Sequence, residues 1–117
     1  MFAEESQLQT IGEKSFSESG IEEIVIPHTV VTINNKAFCE CKALKKVTFA
    51  DGSLLQTIGE QCFSGSGIEE ITLPSALEEI DETAFKDCDS LKTVWVEKEC
   101  KIKVKEYVPK GVKVKRK

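Results

Sequence analysis

The sequence contains few of the features that mark membrane-spanning or exported proteins. No stretch approaches the roughly 20 consecutive apolar residues that a transmembrane helix needs, so we predict no membrane span. The first five residues include two glutamates and no basic or apolar run, which argues against a signal peptide in this stretch. Export would therefore depend on a signal outside this sequence or on an unconventional route.

Histidine, paired cysteines and catalytic motifs are also scarce. His28 is the only histidine, and the five cysteines include no Cys-x-x-Cys pair. A zinc site needs several such ligands close together, and an odd number of cysteines argues against a closed disulfide framework. No motif of the familiar catalytic repertoire occurs. We therefore predict no enzymatic activity, no metal and no cofactor.

Charge of each sign is concentrated in a different part of the chain. Residues 97–117 carry a net charge of +6, whereas residues 1–96 carry a net charge of −10. We interpret the basic tail as a solvated capping strand, and contact with an acidic partner is the alternative. Tyr107 is the only aromatic residue of the tail, so specific nucleic-acid binding is not predicted.

The dominant feature of the sequence is an internal repeat. Residues 2–27 and 49–74 are offset by 47 positions and share eighteen of twenty-six residues. The 47-residue unit is itself double, because one isoleucine recurs at spacings of 22, 25 and 22, namely Ile11, Ile33, Ile58 and Ile80. We predict four coils, each one turn of a solenoid, since a single repeat cannot bury its own apolar row.

Two further patterns recur in each coil. A phenylalanine follows each isoleucine after five residues, which predicts one internal aromatic row of Phe16, Phe38, Phe63 and Phe85. The coil then closes on a segment whose apolar residues alternate with period two, as a strand with one buried face requires. These segments are residues 21–26, 44–49, 68–73 and 91–96. They should line up as a parallel sheet on one side of a right-handed coil.

Charged residues beside these strands alternate in sign from coil to coil. The two columns are Glu22, Lys45, Glu69 and Lys92, and then Glu23, Lys46, Glu70 and Thr93. Adjacent parallel strands would place opposite charges side by side, worth a few tenths of a kcal/mol per pair. The charge pattern therefore favours the same register as the apolar pattern. Pairs such as Glu69-Glu70 recur because the repeat recurs, and we interpret them as structural.

The repeat resembles that of the BspA-like leucine-rich repeat proteins. Two stretches carry the resemblance, from Ile24-Val-Ile-Pro27 through Ala37-Phe38 to Leu44 and from Ile71-Thr-Leu-Pro74 through Ala84-Phe85 to Leu91. The resemblance covers about residues 2–96 and implies a cell-surface or secreted protein with a role in protein binding and cell adhesion. No asparagine column follows the strands, so the ligand-binding habits of other leucine-rich repeats are not transferred.

We therefore predict an α/β-type solenoid, a right-handed leucine-rich-repeat superhelix. A short parallel β-sheet should form the concave face, with mostly loop and short 3₁₀ or helical turns on the convex side. The C-terminal cap should be β-hairpin-like or, alternatively, an irregular last coil. Two regions are predicted: leucine-rich repeats over residues 1–96, with an incomplete N-terminal coil, and a basic cap or tail over residues 97–117. Residues 2–8 repeat residues 49–55, which suggests the C-terminal piece of a longer array, and an open N-terminal edge could pair with another chain.

The cysteines are interpreted mainly as buried thiols. Cys41 and Cys88 occupy one column two coils apart, about 9–10 Å at the usual strand spacing, which is too far for a disulfide. Cys62 replaces the alanine before Phe63 and is interpreted in the same way. Cys39 and Cys100 have no clear place in the pattern and could be accessible.

The predicted concave sheet face is the candidate binding surface. Its outward residues are Glu23, Val25, Lys46, Thr48, Glu70, Thr72, Thr93 and Trp95. Trp95 is either a binding hot spot or a residue covered by the C-terminal cap, and the sequence leaves both open. We predict an adhesin-like protein-binding module whose partner is a host matrix or cell-surface protein. The alternative is a structural spacer or self-assembly unit of a longer array.

Overall fold

Short strands alternate with turns along almost the whole chain. The computed structural model describes residues 8–100, 102 and 104–116. The strands are β1 Thr10–Ile11, β2 Glu23–Ile26, β3 Thr32–Ile33, β4 Lys46–Phe49, β5 Thr57–Ile58, β6 Glu70–Leu73, β7 Glu79–Ile80, β8 Thr93–Val96 and β9 Lys113–Arg116. One 3₁₀ helix, Val104–Tyr107, lies between β8 and β9. The predicted partial coil over residues 2–8 lies, except for Leu8, outside the described residues.

The strands form two parallel sheets. The short sheet has the order β1-β3-β5-β7, and the long sheet has the order β2-β4-β6-β8-β9. In the short sheet the isoleucine column is paired in register from Ile11 to Ile80. In the long sheet Ile24 lies opposite Val47, and Val47 lies opposite Ile71. The predicted solenoid and its register are therefore confirmed, and the short sheet is an addition that the sequence patterns did not predict.

The aromatic row forms as predicted. Neighbouring rings from Phe16 to Phe85 are stacked, with centroid distances of 5.2, 5.4 and 5.6 Å and interplanar angles of 2°, 6° and 9°. Phe38 and Phe63 are fully buried, whereas Phe16 at the end of the row is partly exposed. Strand spacing sets the ring separation, because each ring belongs to the next coil of the same solenoid.

The arcs that carry the phenylalanines are hydrogen-bonded turns. The backbone N–H of Phe38 donates to the carbonyl of Cys62 at 2.8 Å, and the N–H of Phe63 donates to the carbonyl of Ala84 at 2.8 Å. Lys36 and Glu40, on either side of Phe38, both have a positive φ. Such left-handed residues break a helical run, so the predicted 3₁₀ turns are not found on these arcs within the described part of the chain.

The C-terminal segment is not a hairpin. β9 runs parallel to β8, with Val94 opposite Val114 and Trp95 opposite Lys115. A hairpin would make the two strands antiparallel, so the prediction of a β-hairpin-like cap is wrong, whereas the alternative of a last coil agrees with the parallel pairing. The connection through the 3₁₀ helix is long enough for the chain to cross back and add a fifth parallel strand.

Coil spacing leaves little room at Gly67, which gives a testable prediction. A Cβ atom built on Gly67 would lie 2.4 Å from the carbonyl oxygen of Lys42 and 3.2 Å from that of Leu44. Both are backbone atoms of the adjacent coil and cannot rotate away. We expect Gly67→Ala to lower the free energy of unfolding by about 1–3 kcal/mol, the usual cost of overpacking, as measured by urea denaturation.

Gly20 provides the matched control, because it precedes Ile21 as Gly67 precedes Ile68. A Cβ atom on Gly20 would meet nothing within 4 Å. Gly20→Ala should therefore be neutral, or slightly stabilising through the less flexible unfolded chain. Equal losses at both positions would contradict the coil-to-coil contact at Gly67.

Candidate interaction surface

The outward side chains of the long sheet form the candidate surface, here called the strand face. Residues alternate along each strand, so one side of β2 is exposed at Glu23 and Val25 while Ile24 and Ile26 are buried. The same alternation holds in β6 at Glu70. The sequence-predicted site residues of the first three long strands therefore lie together on one face.

Charged and neutral columns run side by side across this face. Glu23 lies opposite Lys46, and Lys46 lies opposite Glu70. Lys45 and Glu69 form an ion pair at 3.6 Å between Nζ and Oε2, with both side chains more than half exposed. An exposed pair of this kind stabilises the fold by at most about 1 kcal/mol. Its main consequence is a mixed-charge surface that water and partners can reach.

The neighbouring column is uncharged except for a lysine at its β9 end, and it carries no acidic residue. Val25 lies opposite Thr48, Thr72 lies opposite Trp95, and Trp95 lies opposite Lys115 of β9. Val25 is 58% exposed, one of two large hydrophobic residues so exposed in the described part of the chain. An apolar side chain flanked by charges is a common composition for a protein-contacting surface.

The β8 end of the face differs from the prediction. Thr93 is only 9% exposed, because β9 lies beside β8 and places Lys113 next to it. Thr93 was predicted to be outward and accessible, and the structure shows it buried beside β9. Trp95 is half-buried, and the Nζ atom of Lys115 lies 5.2 Å from its ring centroid. This cation–π contact covers Trp95 in part and orients its ring.

A shallow groove crosses the strand face between β4 and β8. It encloses about 790 Å³ and is open to solvent. Lysines, acidic residues and Trp95 all contribute to its lining. The lining residues are Lys45, Lys46, Val47, Thr48, Phe49, Asp51, Glu69, Glu70, Ile71, Thr72, Lys92, Trp95 and Glu97.

Three of the cysteines behave as small buried side chains. The thiol of Cys41 donates a hydrogen bond to the carbonyl of Phe16 at 2.8 Å, and that of Cys88 donates to the carbonyl of Phe63 at 3.0 Å. Burial raises the pKa of both thiols and raises that of Cys62 most clearly. These thiols stay protonated at neutral pH, so they are poor nucleophiles.

Cys39 and Cys100, which the sequence patterns did not place, differ in their burial. Cys100 is buried, 2% exposed, and its thiol lies 3.9 Å from the carbonyl oxygen of Leu77 in the coil before it. Its accessibility, which the sequence left open, is therefore excluded. Cys39 is partly exposed, and its pKa is raised, first by desolvation and then by Glu40. All five cysteines are free thiols.

Asp81 lies in a turn of the fourth coil. The hydroxyl and the backbone N–H of Thr83 both donate to its Oδ1 atom, at 2.5 and 2.9 Å. These hydrogen bonds lower the pKa of Asp81 below its ordinary value. The two hydrogen bonds hold the local turn. The Thr83 hydroxyl also accepts a hydrogen bond from the N–H of Gln61, which links the turn to the preceding coil.

The described residues contain neither a group of metal ligands nor a membrane-spanning helix. Within residues 8–100, 102 and 104–116, no group of three or more histidine, cysteine or acidic side chains could hold a metal ion. Nor does any helix in this part of the chain have the length and apolar character to cross a membrane.

Comparisons with known proteins agree on the type of repeat. A family model described as the BspA type leucine rich repeat region matches residues 9–111 in six copies. The pneumococcal vaccine antigen PcpA is 34% identical with a TM-score of 0.82, over 85% of this chain and 25% of its own. A leucine-rich repeat protein from Bacteroides capillosus is 32% identical with a TM-score of 0.68, over 82% of this chain and 70% of its own.

A third solved structure supports the same fold. The leucine-rich repeat protein of T. pallidum is 26% identical with a TM-score of 0.52, over 75% of this chain and 52% of its own. The search of curated proteins found no match. The chain spans about a quarter of the length of the pneumococcal antigen.

Proposed function

The chain belongs to the BspA-type leucine-rich repeat family, and on that premise we propose that its strand face binds a protein partner. Proteins with this repeat are bacterial surface proteins, and leucine-rich repeat modules generally mediate protein interactions without catalysing reactions. In this proposal the strand face is the concave side of a right-handed superhelix and carries the contact residues.

The composition of the face is the observation that carries the proposal. Exposed Glu23, Lys46 and Glu70 form a charged column beside the uncharged residues Val25, Thr48 and Thr72. Apolar side chains would supply contact area, while charges of both signs would fix the orientation of the partner. An open groove without a deep cavity suits a protein surface better than a small molecule, which usually occupies a concave pocket.

We further propose an adhesin-like role at the cell surface. The support is the similarity to the pneumococcal antigen, whose name describes it as a vaccine antigen. An extracellular repeat with a mixed-charge face suits a host matrix or cell-surface protein as the partner. The basic residues Lys45, Lys46 and Lys92 around the groove would meet acidic residues of that partner.

Binding measurements with face variants test the proposal. The chain is immobilised, and a panel of purified matrix proteins is passed over it in surface plasmon resonance. We expect at least one protein to bind, and Trp95→Ala to raise its Kd by about 30-fold or more, as the loss of an aromatic hot spot does. Glu70→Lys should raise the Kd by roughly tenfold, because it reverses a charge at the centre of the face.

A matched control separates the face from general charge effects. Glu82→Lys makes the same charge change at an exposed position on the phenylalanine side of the solenoid. It should leave the Kd within about twofold of the unsubstituted chain. The proposal fails if no protein of the panel binds, or if Glu82→Lys weakens binding as much as Glu70→Lys does.

A further inference from the structure

The two ends of the long sheet are edge strands of opposite charge. In the described residues, β2 pairs only with β4 and β9 pairs only with β8. The outward residue Glu23 makes one edge acidic, and Lys113 and Lys115 make the other edge basic. An edge strand presents backbone groups that can pair with another strand.

We propose that copies of this chain associate head to tail, with β9 of one copy pairing in parallel with β2 of the next. Glu23 and Val25 belong to the strand face as well as to the β2 edge, but the inference concerns the pairing of strand edges and does not rest on the proposed function. It assigns a specific partner to an edge, namely a second copy of the same chain. It would also give a physical basis to the alternative role as an assembly unit.

The register of the long sheet supports this pairing. Across the sheet, one column runs Glu23, Lys46, Glu70, Thr93 and Lys113. If the next copy continues the same register, Glu23 follows Lys113. The sign alternation that operates inside the solenoid is then continued across the junction, where opposite charges on adjacent strands attract.

The other columns fit as well. The inward column ends with buried Val94 and partly buried Val114, and Ile24 of the next copy would follow as another apolar residue. In the outward column, Val25 of the next copy would lie beside the aliphatic stem of Lys115. Burying the exposed Val25, now 58% exposed, adds a favourable apolar contribution.

The remaining surface of the first coil is also incompletely covered. Leu8, Phe16 and Ile21 pack against the core but are only partly buried. At the opposite end of the solenoid, Val112 and Val114 are likewise only partly buried. Both ends of the stack therefore offer apolar side chains for a second copy to cover.

Pairing between like edges is disfavoured. Two β9 strands would bring the basic residues Lys113, Lys115 and Arg116 of both copies together, and like charges on adjacent strands repel. Two β2 strands would place no basic residue beside Glu23. Only the β9–β2 combination matches charge. Such a contact is heterologous, so it can extend to more than two copies.

Sedimentation velocity of the whole chain tests the proposal. Over roughly 10 µM to 1 mM, a range that covers weak interfaces, the sedimentation coefficient should rise with concentration. Added salt should weaken the association, because it screens exposed charges. Glu23→Lys and Lys113→Glu should each raise the association Kd by about tenfold, since each replaces attraction by repulsion. Lys115→Glu should act in the same direction.

Mixing the two charge-reversed chains identifies the partner strands. An equimolar mixture of Glu23→Lys and Lys113→Glu should recover the original Kd, because each altered edge then meets a matching one. Lys110→Glu, an equal charge change in the turn before β9, is the control and should have less than a twofold effect. Both reversed positions are exposed, and unchanged circular dichroism and Tm verify folding.

Three results would overturn the proposal. The first is a chain that stays monomeric over the whole concentration range. The second is a mixture that associates no better than its separate components, and the third is an effect of Lys110→Glu as large as that of Lys113→Glu. Loss of association in Lys113→Glu, which alters no residue named in the proposed binding surface, together with unchanged binding of a matrix protein would leave the proposed function intact, so the two ideas fail independently.

Discussion

Replacing Phe63 with alanine should lower the free energy of unfolding by about 3–5 kcal/mol, the usual cost of removing a buried aromatic ring. Phe63 is fully buried and stacks on Phe38 at 5.4 Å and on Phe85 at 5.6 Å. The fixed coil spacing keeps its neighbours from closing over the vacated space. Because small domains are stable by about 5–15 kcal/mol in total, urea denaturation should show a loss of much of the stability.

Phe16→Ala is the matched control for this prediction. Phe16 has the same place in the first coil and stacks on Phe38, but it is partly exposed. Its loss should cost less than half as much, since solvent already reaches the site. Equal losses at Phe16 and Phe63 would mean that the row is not a continuous internal stack.

A charge introduced at Val47 should be as damaging as the loss of Phe63. Val47 is 4% exposed and lies between Ile24 and Ile71 in the buried column of the long sheet. Val47→Asp would place a carboxylate without a partner in that column. We expect a loss of about 3–5 kcal/mol, comparable to an uncompensated buried charge, measured by thermal and urea unfolding.

The adjacent residue tests whether this loss depends on the side of the strand. Thr48 lies on the exposed face of the same strand. Thr48→Asp should change stability by no more than about 1 kcal/mol, the range of strand propensities. If the two aspartates were equally damaging, the inward and outward assignment of β4 would be incorrect.

Column patterns in the sequence were sufficient to predict the repeated part of the fold. A side chain of a strand lies on one of two faces, so the apolar alternation at Ile24 and Ile26 fixes the buried side. The charge pattern then selects one register, and the observed pairing of Glu23 with Lys46 confirms it. The phenylalanine row follows from the same register, because a solenoid brings equivalent positions together.

The C-terminal strand was misinterpreted because a local signal was given more weight than spacing. Pro109-Lys110-Gly111 is a turn sequence, and it suggested a hairpin. Val94 and Val114 are 20 residues apart, close to the 23 residues between Ile71 and Val94. That spacing fits one more coil. A second signal was the uncharged Thr93 in a column that is otherwise charged. An uncharged residue suits this position because the neighbouring strand β9 covers it.

Burial of Cys100 could also have been predicted from spacing. It follows Val94 by six residues, as Val30 follows Ile24 and Leu77 follows Ile71, and those positions are buried. The short sheet is different, because two-residue strands leave no periodicity to detect. Only the β-branched pairs Thr10–Ile11, Thr32–Ile33 and Thr57–Ile58 hinted at extended backbone there.

The candidate surface was predictable in location but not in accessibility. Alternation places Val25, Thr48 and Trp95 on one side of the sheet whatever lies beside them. Whether Trp95 is covered depends on Lys115, which reaches it only because β9 is parallel to β8. The repeat pattern does not identify the partner, because the columns that place these residues on the surface are also required for the strands to pair and pack.

An electron-density map of the crystallised chain is the most direct test of the stacked coils. The rings of Phe16, Phe38, Phe63 and Phe85 should form one row, with successive centroids between 5.2 and 5.6 Å apart and nearly parallel planes. Rings that lie in separate clusters, or a register in which Ile24 does not face Val47, would contradict the solenoid and every inference drawn from it.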